Sequence, residues 1–151
     1  MDMFTATILT AALQVPMAGG PATWSFAAST PHVGQVDLEM KAVIEKGWHM
    51  YATVLPSDQG PVPTAFRFEP SDAYVANGGV REPVPVEEYD DNFGMVVRHH
   101  SGEPTFVMTI DVKSKEPFIV KGEVEYMLCN DRTCLPPTVV PFEIHVKPTA
   151  N

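Results

Sequence analysis

The most regular feature of the sequence is an alternation of apolar and polar residues with a period of two. In the segment VDLEMKAVIEK, one face carries Val36, Leu38, Met40, Ala42 and Ile44, while most residues of the other face are charged. The alternation recurs in three further runs, which are TFVMTIDV at 105–112, FIVKGEVEYML at 118–128 and TVVPFEIHV at 138–146. Because successive side chains of a strand point to opposite faces, each run predicts a half-buried β-strand.

Shorter strands and turns are predicted between these runs. The shorter strand segments are TWSFA, WHMYA, TAFRFE, GVREPV and MVVRHH, and the turn-rich spacers are EKG, PSDQGPVP, NGG, HSGEP, KSKEP and CNDRTCLPP. The SGEP sequence lies between two strand runs and predicts a hairpin turn. Pro141 removes a hydrogen-bond donor from the last strand, which predicts an edge position or a bulge. No segment predicts a helix of about ten residues or more.

The number and spacing of the strands indicate the fold class. About seven to nine short strands separated by turns predict an all-β protein, an immunoglobulin-like antiparallel β-sandwich, with a barrel as the second choice. The chain of 151 residues is long enough for one domain with a substantial core. The first 22 residues are rich in small residues and lack a basic start. We therefore expect an N-terminal arm or a signal or linker remnant at 1–22 and the sandwich at 23–148.

Charge and composition exclude two classes of partner. The formal charge is −9, and ten basic residues are outnumbered by 19 acidic ones. Nucleic-acid binding requires clustered Lys and Arg, so no nucleic acid is expected as a partner. No segment reaches the roughly 18 consecutive apolar residues of a membrane span, so direct membrane insertion of this domain is not expected either.

The candidate chemistry lies in YMLCNDRTCLPPT, which contains both cysteines of the chain, Cys129 and Cys134. A disulfide across so short a loop adds only about 2 kcal/mol in the loop-entropy model, against about 4 kcal/mol for a loop of about 50 residues, so it is a weak structural staple. Two unrelated thiols are disfavoured because a turn can bring the pair to disulfide distance. The spacing suits a bond that opens and closes, although Leu135-Pro136-Pro137 leaves no helix for a thioredoxin-type C-x-x-C site.

Two other functions stay open at this point. A metal site could combine the cysteines with His49, His99 or His100, but no second ligand pair has matching spacing, so neither a metal nor another cofactor is expected. Copper or zinc carriage would use eight methionines and five histidines that form no clustered motif. The stronger alternative is a secreted β-sandwich binding module with a structural disulfide, in which Trp24, Trp48 and Tyr51 form a ligand platform.

Three segments carry a resemblance to a known family, and they are EKGWHMYATVLPSDQGPVPTAFRFE, VEEYDDNFG and VEYMLCNDRTCLPPT. In this order, over about 23–146, the chain resembles the N-terminal periplasmic domain of the thiol:disulfide interchange protein DsbD. The resemblance implies an immunoglobulin-like fold, which the strand pattern predicts independently. It also implies a periplasmic protein-disulfide reductase component that takes part in electron transfer and cytochrome c biogenesis. Its partners would be a DsbD-type transmembrane domain, a thioredoxin-like domain and oxidised periplasmic thioredoxin-fold proteins.

The resemblance also implies roles for particular residues. The redox pair is Cys129 and Cys134, and we expect Cys134 to attack, or be attacked, in the mixed disulfide. A mobile cap loop that shields the disulfide in the family corresponds to the segment 90–94, which we call the cap loop. Its residues are Asp90, Asp91, Asn92, Phe93 and Gly94, with Phe93 as the shielding aromatic residue. The alternative for Phe93 is that it fills the core beside a glycine turn.

Three further residues are expected near the disulfide, namely His49, Tyr51 and Pro136. Tyr51 matches a tyrosine of the family, whereas His49 stands where another tyrosine is common, so an acid–base role for His49 is open. Family members can hold the two cysteines one residue further apart than this chain does. The chain also lacks the membrane domain and the thioredoxin-like domain of the family, so we expect either an excised piece of a longer protein or a stand-alone secreted relative.

Overall fold

The computed structural model describes residues 13–15 and 20–148, and in this part of the chain the regular elements are all antiparallel β-strands. The strands are β1 (Leu13–Val15), β2 (Ala22–His32), β3 (Gln35–Ile44), β4 (His49–Tyr51), β5 (Ala65–Phe68), β6 (Tyr74–Arg81), β7 (Val86–Asp90), β8 (Met95–His100), β9 (Thr105–Val112), β10 (Phe118–Tyr126), β11 (Leu128–Cys129) and β12 (Thr138–Val146). Among the described residues there is no helix long and apolar enough to cross a membrane.

Two sheets form the sandwich. One has the strand order β1-β2-β3-β9-β6 and the other the order β12-β10-β5. The core between them is aromatic at its centre, where the Trp24 ring lies 5.8 Å from Phe66 and 5.5 Å from Tyr126. Phe26 stacks on Phe142 of the opposite sheet at 4.8 Å. The protein is an immunoglobulin-like antiparallel β-sandwich, as the strand pattern predicts.

A third sheet, with the order β11-β4-β8-β7, extends one end of the sandwich. It is connected to the core because β10 continues through Met127 into β11, and β3 leads through a short turn into β4. Met50 of β4 and Leu128 of β11 are cross-strand partners, and both are buried in the sandwich core. One face of this sheet therefore belongs to the core, and its opposite face is free to carry the site.

The predicted burial of the alternating runs is confirmed. Every second residue of β3 from Val36 to Ile44 is buried, and the odd apolar residue Val43 is exposed. On β12 the four buried positions are Val140, Phe142, Ile144 and Val146. The edge position expected for the strand with Pro141 is also confirmed, because among the described strands β12 pairs only with β10.

The predicted SGEP hairpin is wrong. The two flanking strands belong to different sheets, β8 to the four-stranded sheet and β9 to the five-stranded sheet. The segment between them crosses from one sheet to the other along β3, where the backbone N–H of Ile44 donates to Gly102 O at 2.8 Å and that of Ala42 to Pro104 O at 3.0 Å. Turn residues show that the chain changes direction, but they do not show which strand the chain pairs with next. That choice depends on which strand has unpaired backbone N–H and C=O groups.

The turn predicted at the two adjacent glycines is also wrong. Asn77-Gly78-Gly79 is not a turn but lies inside β6, where the register to β9 shifts between Asn77 and Arg81. Gly78 has a φ of 82°, which a β-bulge with a left-handed glycine requires. The expected strand GVREPV accordingly ends at Arg81, and β7 was not predicted.

One described strand falls in the N-terminal segment that the sequence left out of the sandwich. The backbone of β1 pairs with β2 in the register Leu13 to Phe26. The rest of the expected arm, apart from residues 20–22, lies outside the described residues.

Candidate active site

Cys129 and Cys134 form a disulfide and lie directly opposite each other in an antiparallel bridge, with their Cα atoms 4.0 Å apart. Two backbone hydrogen bonds flank the pair, from Asn130 N to Thr133 O and from Leu135 N to Leu128 O, each 2.9 Å long. This pattern makes the cysteines a non-hydrogen-bonded pair, the position at which opposite Cα atoms of antiparallel strands approach most closely. The backbone itself therefore brings the two sulfur atoms together.

The reversal between the cysteines is made by the side chain of Asn130. Its Oδ1 accepts hydrogen bonds from the backbone N–H of Arg132 at 2.9 Å and of Thr133 at 2.8 Å. Asparagine favours such turns because its side chain can replace a backbone acceptor. We call residues 129–134 the disulfide loop.

The two cysteines differ in exposure. Cys129 is 0% exposed and packs in a small cluster with Tyr51, Val97 and Met127. Cys134 is only partly buried and lies against the same cluster. An incoming sulfur atom therefore has better access to Cys134 than to Cys129.

The residues around the disulfide share one face of the four-stranded sheet. Cys129 is the cross-strand partner of His49, and Tyr51 is the partner of His99. On the outer strand β7, Glu88 is the cross-strand partner of Val97 on β8. Asp90 lies two residues after Glu88, and His99 lies two residues after Val97. Because side chains two apart on a strand point to the same side, all of these groups lie on the face that is turned away from the sandwich core.

A hydrogen-bonded network connects β4 with the cap loop. The hydroxyl of Tyr51 donates to Asp90 Oδ2 at 2.6 Å, and His49 Nε2 lies 3.2 Å from the Tyr51 oxygen and 3.6 Å from Asp90 Oδ2. Burial first, and then the hydrogen bond to Asp90, raises the pKa of Tyr51 far above its ordinary value, so the hydroxyl stays protonated. Burial first, and then the neighbouring His99, lowers the pKa of His49, while Asp90 and Glu88 oppose this effect.

The histidines of β8 separate onto its two faces. The His99 ring lies 4.5 Å from that of His49, and His99 Nε2 is 2.6 Å from Glu88 Oε1. His100 faces the core, where it contacts Phe106 and bonds to Glu82 at 3.0 Å. In the described part of the chain, no three His, Cys, Asp or Glu residues form a metal-binding group.

The cap loop is a tight turn held by Asp90. The Asp90 carbonyl accepts from Gly94 N and its Oδ1 accepts from Asn92 N, both at 2.8 Å. The turn places the Phe93 ring perpendicular to that of Tyr51, 5.9 Å away, within the cluster that holds both cysteines. The Asn92 side chain donates to the carbonyl of Asn130 at 3.0 Å. The cap loop thus contacts the disulfide loop directly, and its shielding role stays a prediction.

Acidic residues surround the disulfide loop. A cleft of about 100 Å³ lies between the cap loop and the disulfide loop, and His49, Glu88, Asp90, Asp91 and Asp131 are among the residues that line it. A negatively charged entrance favours partners with a positive surface and slows the approach of anionic ones.

The remaining predicted positions have different surroundings. Pro136 is exposed and lies two residues after the disulfide loop. Trp24 is 2% and Tyr51 0% exposed, and Trp48 is partly buried against the core, so these three residues do not form the exposed ligand platform of the binding-module hypothesis. Asn130 and Glu88 are not among the predicted site residues, although the Asn-Asp pair after Cys129 is a recognisable turn signal.

Comparisons with known proteins agree with the fold. The family model described as "Thiol:disulfide interchange protein DsbD, N-terminal" matches residues 16–144. The Neisseria meningitidis DsbD N-terminal domain in the reduced form is 19% identical, with a TM-score of 0.53 over 80% of this chain and 82% of that chain. The N-terminal periplasmic domain of ScsB from Proteus mirabilis is 17% identical, with a TM-score of 0.61 over 91% of this chain and 50% of that chain. No curated protein matches the chain.

Proposed function

Because this chain belongs to the family of the N-terminal domain of the thiol:disulfide interchange protein DsbD, we propose that its Cys129–Cys134 pair relays reducing equivalents between proteins. The family and a cysteine pair able to form a disulfide support a thiol–disulfide exchange domain. In the proposed relay, a DsbD-type transmembrane domain and a thioredoxin-like domain supply the electrons. Oxidised periplasmic thioredoxin-fold proteins receive them, in processes that include cytochrome c biogenesis.

The reaction runs through a mixed disulfide and needs no cofactor. A thiolate of the reducing partner attacks Cys134 Sγ, the bond to Cys129 breaks, and its electron pair stays on the Cys129 sulfur, which takes up a proton. A second thiol of the partner then attacks the mixed disulfide, so that the partner leaves oxidised and the domain holds two thiols. The same steps in reverse reduce the disulfide of an acceptor protein.

The unequal burial of the two cysteines is the observation that carries this proposal. An exchange protein needs one sulfur that a partner can reach and one that is sheltered until the mixed disulfide has formed. Cys134 is partly exposed and Cys129 is 0% exposed, which meets this requirement. A structural disulfide does not require such a difference.

The test is the equilibrium reduction potential of the pair, measured by thiol labelling in defined glutathione buffers. We expect a value between about −180 and −270 mV, the range of known exchange proteins. Structural disulfides of secreted proteins usually lie below about −300 mV. A bond that stays oxidised throughout these buffers would contradict the relay and return the pair to a structural role.

A further inference from the structure

His49 lies directly across the sheet from Cys129, the buried sulfur of the pair. Side chains of directly opposite residues on neighbouring strands have their Cβ atoms about 4.5–5.5 Å apart and point to the same face. His49 also borders the cleft that the disulfide loop lines through Asn130 and Asp131. The imidazole is thus placed beside the cysteine that has no access to solvent for its proton.

We propose that His49 accepts the proton of the Cys129 thiol when this thiol resolves the mixed disulfide on Cys134. The proposal deepens the proposed function and rests on it. A thiol is a weak nucleophile until it loses its proton, and a buried thiol without a base is a particularly poor one.

The hydrogen bonds of Tyr51 determine which nitrogen of His49 is the acceptor. The Tyr51 hydroxyl gives its proton to Asp90, so only its oxygen lone pairs are left for His49 Nε2. Nε2 of the neutral ring must therefore carry the hydrogen, and Nδ1 is left as the basic nitrogen. Among the described residues, Nδ1 of His49 has no hydrogen-bond partner. Tyr51 and Asp90 act as positioning residues that fix this tautomer.

The charged and titratable groups around His49 suit a base that must gain and lose a proton. They are Tyr51 on its own strand, His99 on β8, Glu88 and Asp90 on β7, Cys129 on β11, and Asp91 and Asp131 across the cleft. Burial and His99 keep the free imidazole neutral, which leaves it ready to accept a proton. Once the proton has arrived, the carboxylates of Asp90 and Glu88 stabilise the imidazolium.

The complete step conserves atoms and electrons. With an acceptor protein bound to Cys134 through a mixed disulfide, His49 Nδ1 takes the proton from Cys129 Sγ. The Cys129 thiolate attacks Cys134 Sγ, and the bond between Cys134 and the acceptor's sulfur breaks. The electron pair of that bond leaves with the acceptor as a thiolate, which takes a proton from water or from the imidazolium. The domain ends oxidised and the acceptor reduced by two electrons.

The experiment follows the two half-reactions separately. The reduced protein is mixed with an aromatic disulfide that releases a coloured thiol, once when Cys134 attacks and again when Cys129 resolves. The variants are His49→Gln, which keeps an N–H donor for Tyr51, and His49→Tyr, which keeps an aromatic ring; neither offers a base at neutral pH. His145→Gln, at an exposed position of β12, is the matched control.

We expect the ratio of the second rate to the first to fall at least about tenfold at pH 7 in both His49 variants and to stay unchanged in the control. In the wild type, the second rate should level off above the titration of His49, because the neutral imidazole then accepts the proton, whereas in the variants it should go on rising with pH until the Cys129 thiol itself ionises. A second phase with wild-type rate and pH profile in a folded variant would overturn the proposal while leaving the relay intact. If even the wild type releases only one equivalent of the coloured thiol, the pair does not exchange, and the proposed function fails instead.

Discussion

The side-chain amide of Asn92 donates a hydrogen bond to the backbone carbonyl of Asn130, 3.0 Å away, and so fastens the cap loop to the disulfide loop. An exposed hydrogen bond of this kind contributes about 0.5–1.5 kcal/mol, enough to change the population of an open loop by about two- to tenfold. The bond is therefore strong enough to slow access to the disulfide and weak enough to be broken by a docking partner.

We expect Asn92→Ala to accelerate reduction of the disulfide by glutathione by about two- to tenfold, because the closed loop loses that bond. The rate is measured under excess glutathione by the appearance of free thiols. Asn77→Ala is the matched control, since Asn77 bonds to Asp111 on another sheet. Equal rates in wild type and Asn92→Ala would show that the bond does not limit access.

Replacing Phe93 by Ala should also speed reduction by glutathione, and by more than the Asn92 variant does. The Phe93 ring packs on Tyr51 in the cluster that contains both cysteines, so its loss uncovers the disulfide even when the loop is closed. Val139→Ala removes an exposed apolar side chain from β12, away from the cluster and the cleft, and serves as the control. An unchanged rate would remove Phe93 from the shielding role.

Tyr51→Phe should lower the free energy of unfolding by about 1–3 kcal/mol at pH 7, because the buried carboxylate of Asp90 loses a hydrogen bond. The pKa of Tyr51 is raised in the folded protein, so its contribution is complete below the unfolded value near 10 and decreases as the pH rises above it. Urea unfolding at pH 7 and pH 11 should therefore give a smaller difference between variant and wild type at the higher pH. A difference that grows with pH would contradict this.

His49 should make the protein less stable in mild acid. Its pKa is lowered on folding, so between the unfolded value near 6.5 and the folded value the unfolded chain binds more protons than the native protein does. Stability should fall from pH 7 to pH 5.5, with His49 contributing a slope of at most about 1.4 kcal/mol per pH unit. In His49→Gln this part of the slope should be absent, whereas His145→Gln should retain it. Identical slopes in all three proteins would refute the assignment.

Gly122→Ala should destabilise the sandwich by about 2–4 kcal/mol. A Cβ atom at this position of β10 would collide with the backbone oxygen of Arg67 and the ring of Phe142. Gly79→Ala is the matched control, because nothing lies within 4 Å of a Cβ atom built there. Urea unfolding of both variants measures the effect. Comparable stabilities would mean that β10 shifts at little cost to accommodate the methyl group.

The long strands of the sandwich could be predicted because their residues alternate between two environments, the buried core and the solvent-exposed surface. Val36 to Ile44 alternates between the core and the surface, and the sequence contains that alternation directly. In β7 four of the five residues are exposed, so no alternation marks it as a strand. The pairing partner of the SGEP segment was missed for a related reason: it depends on free backbone groups of β3, which are far away in sequence.

The site was predicted only in part. The cysteine pair, the cap loop and Tyr51 follow from spacing and from the resemblance, and the structure brings them into one cluster. The pairing of His49 with Cys129 and the hydrogen bond of Tyr51 to Asp90 depend on the register of strands that are 39–80 residues apart in the chain. The alternation within one strand shows which face is buried, but not which residue of a strand far away in the chain lies opposite.

Neighbouring residues of β4 and β11 serve opposite sides of one sheet, since Met50 and Leu128 fill the core while His49 and Cys129 form the site. One additional residue in the short turn between β3 and β4 would turn His49 inward and push a core side chain out into the cleft. The length of that turn therefore helps to determine which residues of β4 face the site. Among natural or engineered relatives, we expect insertions and deletions to be rare at residues 45–48. We expect them to be more frequent in the longer connection between β4 and β5.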